Sequence, residues 1–501
     1  MRSTRTKSID SINESNKIGN WFINFEGDLT EQRETLKVMP GNSLVGEVGS
    51  QGRLSLPGDK SISHRAALFA ALAEGQSEID NFLVSGVTSA MLNALTKIGV
   101  EWEIVGELLR IDGKGIYNST REASKSRESL QINCGNSATT LRLLAGGLAA
   151  MGIPAILDGT AGLRRRPMDR IVKPLQQMGV GIEATDGCAP LHLERSTMPL
   201  QPIDYMPRTA SAQVKSCILL AALAAYGKTT IREPGPSRDH TERMLRSMGF
   251  VVISRTDLLP DCRDGNRSVE YISEVKVKPP VLLNPLKMKI PGDFSAAAFV
   301  IVAGLICPGS KVTIRGVGLN PTRTGLLDAL ERMGANLRID NVLEQSDEPI
   351  GDIHVQSSNL RGIEVNGPIV VRMIDEFPIF SVAASYAEGR TIVSEARELR
   401  YKESDRISSL CRELKIIGAT VSENPDGFII DGREKLAGGR VEPHGDHRLA
   451  MALTVAGLNA QNPVSVVDTE IISESFPEFY KNMEGLGANL RIEYKDSNNG
   501  A

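Results

Sequence analysis

Residues 57–65, Pro-Gly-Asp-Lys-Ser-Ile-Ser-His-Arg, place two cations, two hydroxyls and a glycine turn directly before the apolar run Ala66–Ala73. A glycine turn that opens a helix gathers free backbone N–H groups at the positive end of the helix dipole, a ready seat for an oxyanion. Lys60 and Arg65 add full charges, and an arginine can grip phosphate or carboxylate with two parallel hydrogen bonds. Taken alone, the segment reads equally well as an ordinary capped helix start. Its echo at residues 290–295, Ile-Pro-Gly-Asp-Phe-Ser, again precedes an apolar stretch, Ala296–Ile306, but lacks the cations. Two halves of one architecture, with the chemistry loaded on one side, account for both.

Four further segments carry charge into turns ahead of apolar helices: Asn133–Arg142, Arg164–Pro167, Arg400–Arg406 and Asp446–Arg448. Each by itself suits a solvated face or a surface ion pair. Together they supply cations at helix starts from both halves of the chain, the distribution expected if phosphates or carboxylates bind between two closing domains. Asp375 and Glu376 follow Arg372. Paired acids among cations can serve as one ionised base and one proton donor, or can simply balance nearby arginines at a surface.

The positioning elements repeat. A helix, an apolar residue, Gly and another apolar residue recur around Gly99, Gly179, Gly249, Gly334, Gly418 and Gly487, 69 to 85 residues apart. Glycine suits the left-handed residue that closes a helix before a strand. Leu326, Leu327, Leu330 and Met333 form one apolar face of the fourth helix, and Asn424-Pro425-Asp426-Gly427 turns a hairpin between strands. Three copies precede the second Pro-Gly-Asp turn and three follow it. The expected fold is therefore α/β with two similar domains. One is discontinuous, residues 49–58 plus 291–501, the other is residues 59–290, and the chain crosses near 57–60 and 288–293. Residues 257–285 are expected to be a surface excursion, and residues 1–48 a loosely ordered extension. Arg2, Arg5 and Lys7 faintly suggest a targeting peptide, but Asp10, Glu14, Glu26 and Asp28 argue against one.

A chain of 501 residues is too long for one core. Its net charge of −4 gives no bias toward nucleic acid or anionic membrane. The run Ala296–Cys307 stops at Pro308, too short to span a bilayer. Six cysteines (134, 188, 217, 262, 307 and 411) form no C-x-x-C pair, which fits reduced thiols. Gly227-Lys228-Thr229 resembles the end of a P-loop, but Ala222 stands where its first glycine belongs. His64, His240, His444 and His447 lack metal-ligand spacing. Chemistry without metal or cofactor is expected, in a cytoplasmic monomer that binds neither nucleic acid nor membrane.

The motifs LPGDKSISHR, GNSATTLRLL, RRPM, SAQVKS, SRDHTERM, IPGDFSAAAF, GLNPTRTG, IDEFP, RYKESDR, DHRLAMAL and SFPEF occur in this order. From about Gly52 to about Ala488 the chain closely resembles the EPSP synthase (3-phosphoshikimate 1-carboxyvinyltransferase) family. The resemblance implies two domains, each of three βαβαββ units with inward-bundled helices. It also implies transfer of the enolpyruvyl group of phosphoenolpyruvate to the 5-hydroxyl of shikimate 3-phosphate, in chorismate and aromatic amino acid biosynthesis. Carried over by motif, Lys60 touches both substrates. Ser61, Arg65, Ser211, Ala212, Gln213, Asp375 and Lys402 hold shikimate 3-phosphate, with Ser237 and Arg238 at its phosphate. Ala138, Arg166, Gln213, Arg406 and Arg448 hold phosphoenolpyruvate. Asp375 is the implied base on the 5-hydroxyl and Glu403 the donor to the methylene carbon, with Lys60 assisting.

Three departures stand out. Gly86 and Val87 replace an acidic pair found in many members, and Glu474 stands where some members use a lysine on phosphoenolpyruvate. Ala138 replaces a glycine of herbicide-sensitive members; with SAQVK and NPTR this aligns the chain with the glyphosate-tolerant group. Two rivals remain: the UDP-N-acetylglucosamine enolpyruvyl transferase, which shares the fold, and a non-catalytic homologue that binds phosphorylated metabolites.

Overall fold

The computed structural model describes residues 33–49, 54–116, 129–196, 198–258, 269–277, 282–432 and 435–495. The residues read as a targeting-like amino terminus and Cys262 lie outside them. All six helix-closing glycines have positive φ: 82° at Gly99, 85° at Gly179 and Gly249, 84° at Gly334, 95° at Gly418 and 113° at Gly487. Each closes the second helix of a βαβαββ unit, and glycine reaches this backbone region without steric cost.

The described strands form six four-stranded sheets, one per unit. Each holds a parallel pair, joined through a helical segment in four of the six, and an antiparallel pair completes the sheet, as where Asn133 faces Asp158 and Leu157 faces Leu191. Three units borrow a strand from a distant part of the chain. Lys287–Lys289 joins Glu74–Asp80 in the first, and Val45–Gly49 joins Lys311–Gly318 in the fourth.

The sixth unit corrects the reading of residues 1–48. Arg33–Met39 is a strand lying between Val464–Val467 and Asn489–Lys495, with Leu36 opposite both Val466 and Ile492. Leu36 and Val38 are buried. The globular structure thus begins by Arg33. Among the described residues only one strand follows Ala488 in this unit, and the early strand supplies the other partner. The expected excursion at 257–285 needs a similar correction. Val269–Val277 pairs with both Gly227–Glu233 and Val252–Leu258. Its glutamates and lysines obscure the alternation, but Ile272 is buried and Glu274 is held by Lys228 at 3.1 Å and Arg255 at 3.0 Å.

Buried apolar residues fall into two cores. One runs from Ile62 to Ile290, and the other combines Leu36–Leu56 with Phe294–Leu490. At the centre of each lies the first helix of every unit. Lys60–Leu72, Ala138–Met151 and Ala212–Ala222 serve one core, and Phe294–Ile306, Phe377–Ser385 and His447–Gly457 the other. Every residue of Phe294–Ile306 and of His447–Gly457 is buried. Such all-round burial leaves the helix ends as the places where polar groups can gather.

The chain crosses between the cores twice, side by side. Gly58 and Gly292 form an antiparallel bridge, Asp59 N–H donates to Pro291 O (2.9 Å), and Asp293 N–H donates to Pro57 O (2.8 Å). A Cβ on Gly58 would meet the Asn81 carbonyl oxygen at 1.9 Å, so only glycine allows this approach. No helix among the described residues is long and apolar enough to cross a membrane.

Candidate active site

The starts of the central helices and of the second helices that follow them meet between the two cores, and these starts carry the charged residues. Helix Lys60–Leu72 is capped by Asp59, whose Oδ1 accepts from Ile62 N–H at 2.9 Å. Asp293 accepts Lys60 N–H at 3.0 Å from across the crossover. Lys60 Nζ reaches His447 Nε2 of the opposite domain at 3.3 Å. Burial, helped by the charge of Arg448, lowers the pKa of the Lys60 ammonium. Burial, reinforced by Lys60 and Arg448, also holds His447 well below the ordinary histidine value, so it is neutral.

Asp375 lies among four cations. Arg238 donates to Oδ2 at 2.6 Å, and Arg406 and Lys402 approach Oδ1 at 3.5 and 3.6 Å. Arg448 NH1 donates to the Asp375 carbonyl at 3.3 Å. Burial alone would raise this carboxyl, but the four cations hold it well below the usual range. Glu403 is treated alike. Arg406 donates to Oε2 at 2.6 Å and Arg166 lies 3.4 Å from Oε1. Burial opposes ionisation, and Arg406 and Arg166 overcome it. The pairs Arg238–Asp375 and Arg166–Glu403 each bring one residue from either side of the cleft together.

Asp446 aims the arginines. Fully buried at the start of helix His447–Gly457, it accepts from Arg406 Nε at 2.7 Å and from Arg448 N–H at 2.9 Å. Glu376, next to Asp375 in the chain, does not pair with it as a second acid of the site. It is buried against Ser295 and 3.8 Å from Arg448. Glu474 lies 3.7 Å from His447 Nδ1, and burial, with the Glu403 charge, raises its pKa. It stands near Lys60 as an acid, where a lysine would have added a cation.

On the side of residues 59–290, Ala138 opens helix Ala138–Met151 and is 3 % exposed. Gln213 Nε2 donates to Thr139 at 2.8 Å, and Gln213 accepts from Arg142. Arg142 also donates to Pro167 O at 3.1 Å, which ties the Arg166 turn to this helix. Burial, aided by Arg170 and Arg166, lowers the Arg142 guanidinium to about 9. Ser61, Ser211 and Ala212 are half-exposed at helix starts, and Ser237 and Arg238 lie in the turn before helix His240–Ser247.

Arg65 is placed differently from the other cations. It is 2 % exposed, and its guanidinium is bound internally to Thr241 (2.9 Å), Ser216 (2.8 Å) and the Ser61 carbonyl (2.9 Å). It holds the turn of Ser61 in place. His64 is likewise structural. Nδ1 lies 2.7 Å from Lys60 O, Nε2 lies 3.2 Å from Ser137 Oγ, and burial lowers its pKa to about 4. At the acidic-pair departure, the Val87 carbonyl lies 3.1 Å from His64 Nε2, so a backbone oxygen faces this ring.

The sequence marks no individual role for Arg323, Asp446, Arg142 or His447. Arg323 lies buried at the crossover, bound to Asp59, to Asp293 at 3.0 Å and to Ser295 at 2.6 Å. The signals available were an arginine in Asn-Pro-Thr-Arg and an aspartate capping a helix, both common at surfaces. Among the described residues no group of three or more His, Cys, Asp or Glu side chains could hold a metal ion.

Residues 46–483 match the family model of EPSP synthase (3-phosphoshikimate 1-carboxyvinyltransferase). A 3-phosphoshikimate 1-carboxyvinyltransferase of Geobacter metallireducens is 45% identical over 440 residues, spanning 88% of this chain and 97% of that one. One from Acidithiobacillus ferrooxidans is 43% identical over 456 residues, covering 91% and 98%. The solved structure of an EPSP synthase from Acinetobacter baumannii matches with a TM-score of 0.76 at 38% identity, over 92% of this chain and all (100%) of that one. The enolpyruvyl transferase NikO from Streptomyces tendae, 18% identical with a TM-score of 0.69 over 93% of this chain, shares the fold.

Proposed function

The chain belongs to the EPSP synthase family and is a 3-phosphoshikimate 1-carboxyvinyltransferase, and from that premise we propose how the cleft divides the work. The enzyme moves the enolpyruvyl group of phosphoenolpyruvate to the 5-hydroxyl of shikimate 3-phosphate and releases phosphate. In our reading Ser61, Ser211, Ala212, Gln213, Ser237, Arg238 and Lys402 receive shikimate 3-phosphate, and Arg65 acts through the Ser61 turn. Ala138, Arg166, Gln213, Arg406 and Arg448 receive phosphoenolpyruvate, with Lys60 between the two. Residues 33–58 with 291–495 and residues 59–290 close as two domains, in a cytoplasmic monomer.

The observation that carries this reading is the crossing of charges in the cleft. Asp375 and Glu403 are held ionised by the cations assigned to the substrates. A substrate phosphate or carboxylate that takes Arg238 or Arg166 removes that stabilisation and raises the pKa of the carboxyl left behind. Glu403 then holds a proton that it gives to the methylene carbon of phosphoenolpyruvate. The 5-hydroxyl oxygen attacks the adjacent carbon, and its proton passes to Asp375. The Glu403 carboxylate next takes a methyl proton back from the tetrahedral intermediate while its carbon–oxygen bond to phosphate breaks, restoring the double bond and releasing phosphate. Lys60 and the arginines hold the leaving charge.

The test is phosphate release on mixing phosphoenolpyruvate with shikimate 3-phosphate or with UDP-N-acetylglucosamine. Release with the first alone is expected. Release with the nucleotide sugar, or with neither, would overturn the reading. The Ala138 methyl, buried at a helix start beside the phosphoenolpyruvate residues, is proposed to crowd glyphosate and confer tolerance. Ala138→Gly should lower the glyphosate concentration for half-inhibition with little change in KM for phosphoenolpyruvate. An unaltered inhibition curve would sink this cause.

A further inference from the structure

Beneath Ser237, assigned to the substrate phosphate, and Ser211, assigned to the same substrate, lies a buried ionic cluster that the reaction does not consume. Glu233 ends strand Gly227–Glu233, and its two oxygens serve both serines. Oε1 accepts Ser211 N–H at 2.9 Å, and Oε2 accepts the Ser237 hydroxyl at 2.7 Å. Ser211 starts helix Ala212–Ala222 without a side-chain cap of its own, so the carboxylate sits at the positive end of that helix. One turn into the helix, Lys215 Nζ lies 2.9 Å from Glu233 Oε2, 2.9 Å from Glu242 Oε1 and 3.3 Å from the Ser237 carbonyl. Glu242 also accepts from Ser273 Oγ at 2.8 Å. The side chains of Lys215, Glu233 and Glu242 are 4%, 1% and 1% exposed.

Ser237 has one hydroxyl proton, and here it is given to Glu233. A substrate phosphate near pH 7 offers acceptors almost exclusively, so Ser237 can bind it only by turning that proton away from Glu233. A buried carboxylate that loses a donor becomes costly unless another remains. Lys215 and the Ser211 N–H remain. Lys215 has three N–H donors and finds three acceptors, so each Glu233 oxygen keeps a donor when the serine turns.

We propose that Glu233 and Lys215 are positioning residues for phosphate recognition: Glu233 holds Ser211 and Ser237 at the spacing the phosphate requires, and Lys215 lets the Ser237 hydroxyl pass from Glu233 to the substrate. This rests on the assignment of Ser237 to the phosphate of shikimate 3-phosphate and of Ser211 to the same substrate. Lys215 belongs to the SAQVKS segment, where its spacing alone suggests nothing beyond a helix residue.

Glu233→Gln, Ser237→Ala and the double variant separate the two claims. Glu233→Gln is isosteric and leaves Lys215 paired with Glu242, so the fold should survive, which thermal melting checks. The amide cannot accept from Ser211 and from Lys215 at once. The readouts are dissociation constants for shikimate 3-phosphate and for unphosphorylated shikimate, with kcat at saturating substrate. Ser237→Ala and Glu233→Gln should each weaken shikimate 3-phosphate by roughly tenfold, the loss expected for one hydrogen bond to a charged group. Both should spare shikimate binding and change kcat less than the affinity for shikimate 3-phosphate, and the double variant should lose little more than either alone. If Ser237→Ala is phosphate-selective while Glu233→Gln weakens both ligands equally, or neither, the positioning role is overturned and the phosphate assignment stands. If Ser237→Ala affects both ligands alike, the phosphate assignment fails and the inference falls with it.

Discussion

The two crossovers share one backbone device and differ in what they carry. Asp59 and Asp293 each cap the helix that follows, each donates a backbone N–H across to the other strand, and each is bound by Arg323. Beyond the aspartate the sequences part. Lys60, His64 and Arg65 face Phe294, Ala298 and Phe299 at matching positions. The second crossover is packed into its core, with Phe294 fully buried and Phe299 meeting Phe479 edge-on at 6.2 Å. The first exposes its helix start to the cleft. One geometry therefore serves as an anchor in one copy and as an active-site wall in the other, and side chains alone decide which.

The largest expected break in the comparison comes at the position that differs most. Lys60→Met should lower kcat by about 100- to 1,000-fold, the loss typical of removing one group that stabilises transition-state charge. Phe294→Leu, at the matching place, should leave kcat near wild type and reduce stability by about 1 kcal/mol. Steady-state kinetics with urea unfolding distinguishes them. Comparable kinetic losses at both positions would mean that the second crossover also reaches the chemistry.

How much of this was legible follows from how local each signal is. The glycines that end the second helices were readable because the backbone demand and the residue type occupy one position. The cations at helix starts were readable because an anion seat needs only a turn and its neighbours. Strand Arg33–Met39 was not, since its partners lie more than 400 residues later, at Val464–Val467 and Asn489–Lys495. Arg323 and Lys215 were hidden for another reason. A charged residue in sequence reads as solvated, and only the structure shows the carboxylates from distant segments that make its burial tolerable.

Acid should separate the crossovers next. Burial lowers His64 from 6.5 to about 4 in the folded state. The unfolded chain therefore takes up the proton first as pH falls, so stability present above pH 6.5 is lost on the way down to about pH 4. The full loss from His64 is about 3 kcal/mol. Asp59 is opposed by burial but held at about 2 by Arg323, so its contribution persists until the pH falls below 3.8. His447, also kept neutral by burial, loses stability on the same side of 6.5. His64→Gln should thus flatten, but not abolish, the decline in urea midpoint between pH 6.5 and 4. An unchanged slope would show that His64 titrates normally in the folded protein.

The smallest effect tests whether the chemistry-free crossover still shapes the chemistry. Asp293 accepts three donors: Ser295 N–H at 2.7 Å, Arg323 at 3.0 Å and Lys60 N–H at 3.0 Å. Asp59 accepts from Ile62 N–H and Arg323, and neither bond touches Lys60. In Asp293→Asn the amide oxygen can keep Ser295 and Arg323, which leaves the amide nitrogen facing Lys60 N–H, donor against donor. The first residue of the catalytic helix then loses its anchor and the Lys60 side chain shifts with it. In Asp59→Asn the loss falls on the helix cap or on Arg323. Both substitutions should destabilise the fold by similar amounts. Asp293→Asn should in addition lower kcat roughly fivefold, about 1 kcal/mol for one misplaced hydrogen bond, and Asp59→Asn should lower it less. The reverse order would locate the control of Lys60 in its own crossover, and the pairing of the two turns would then be purely structural.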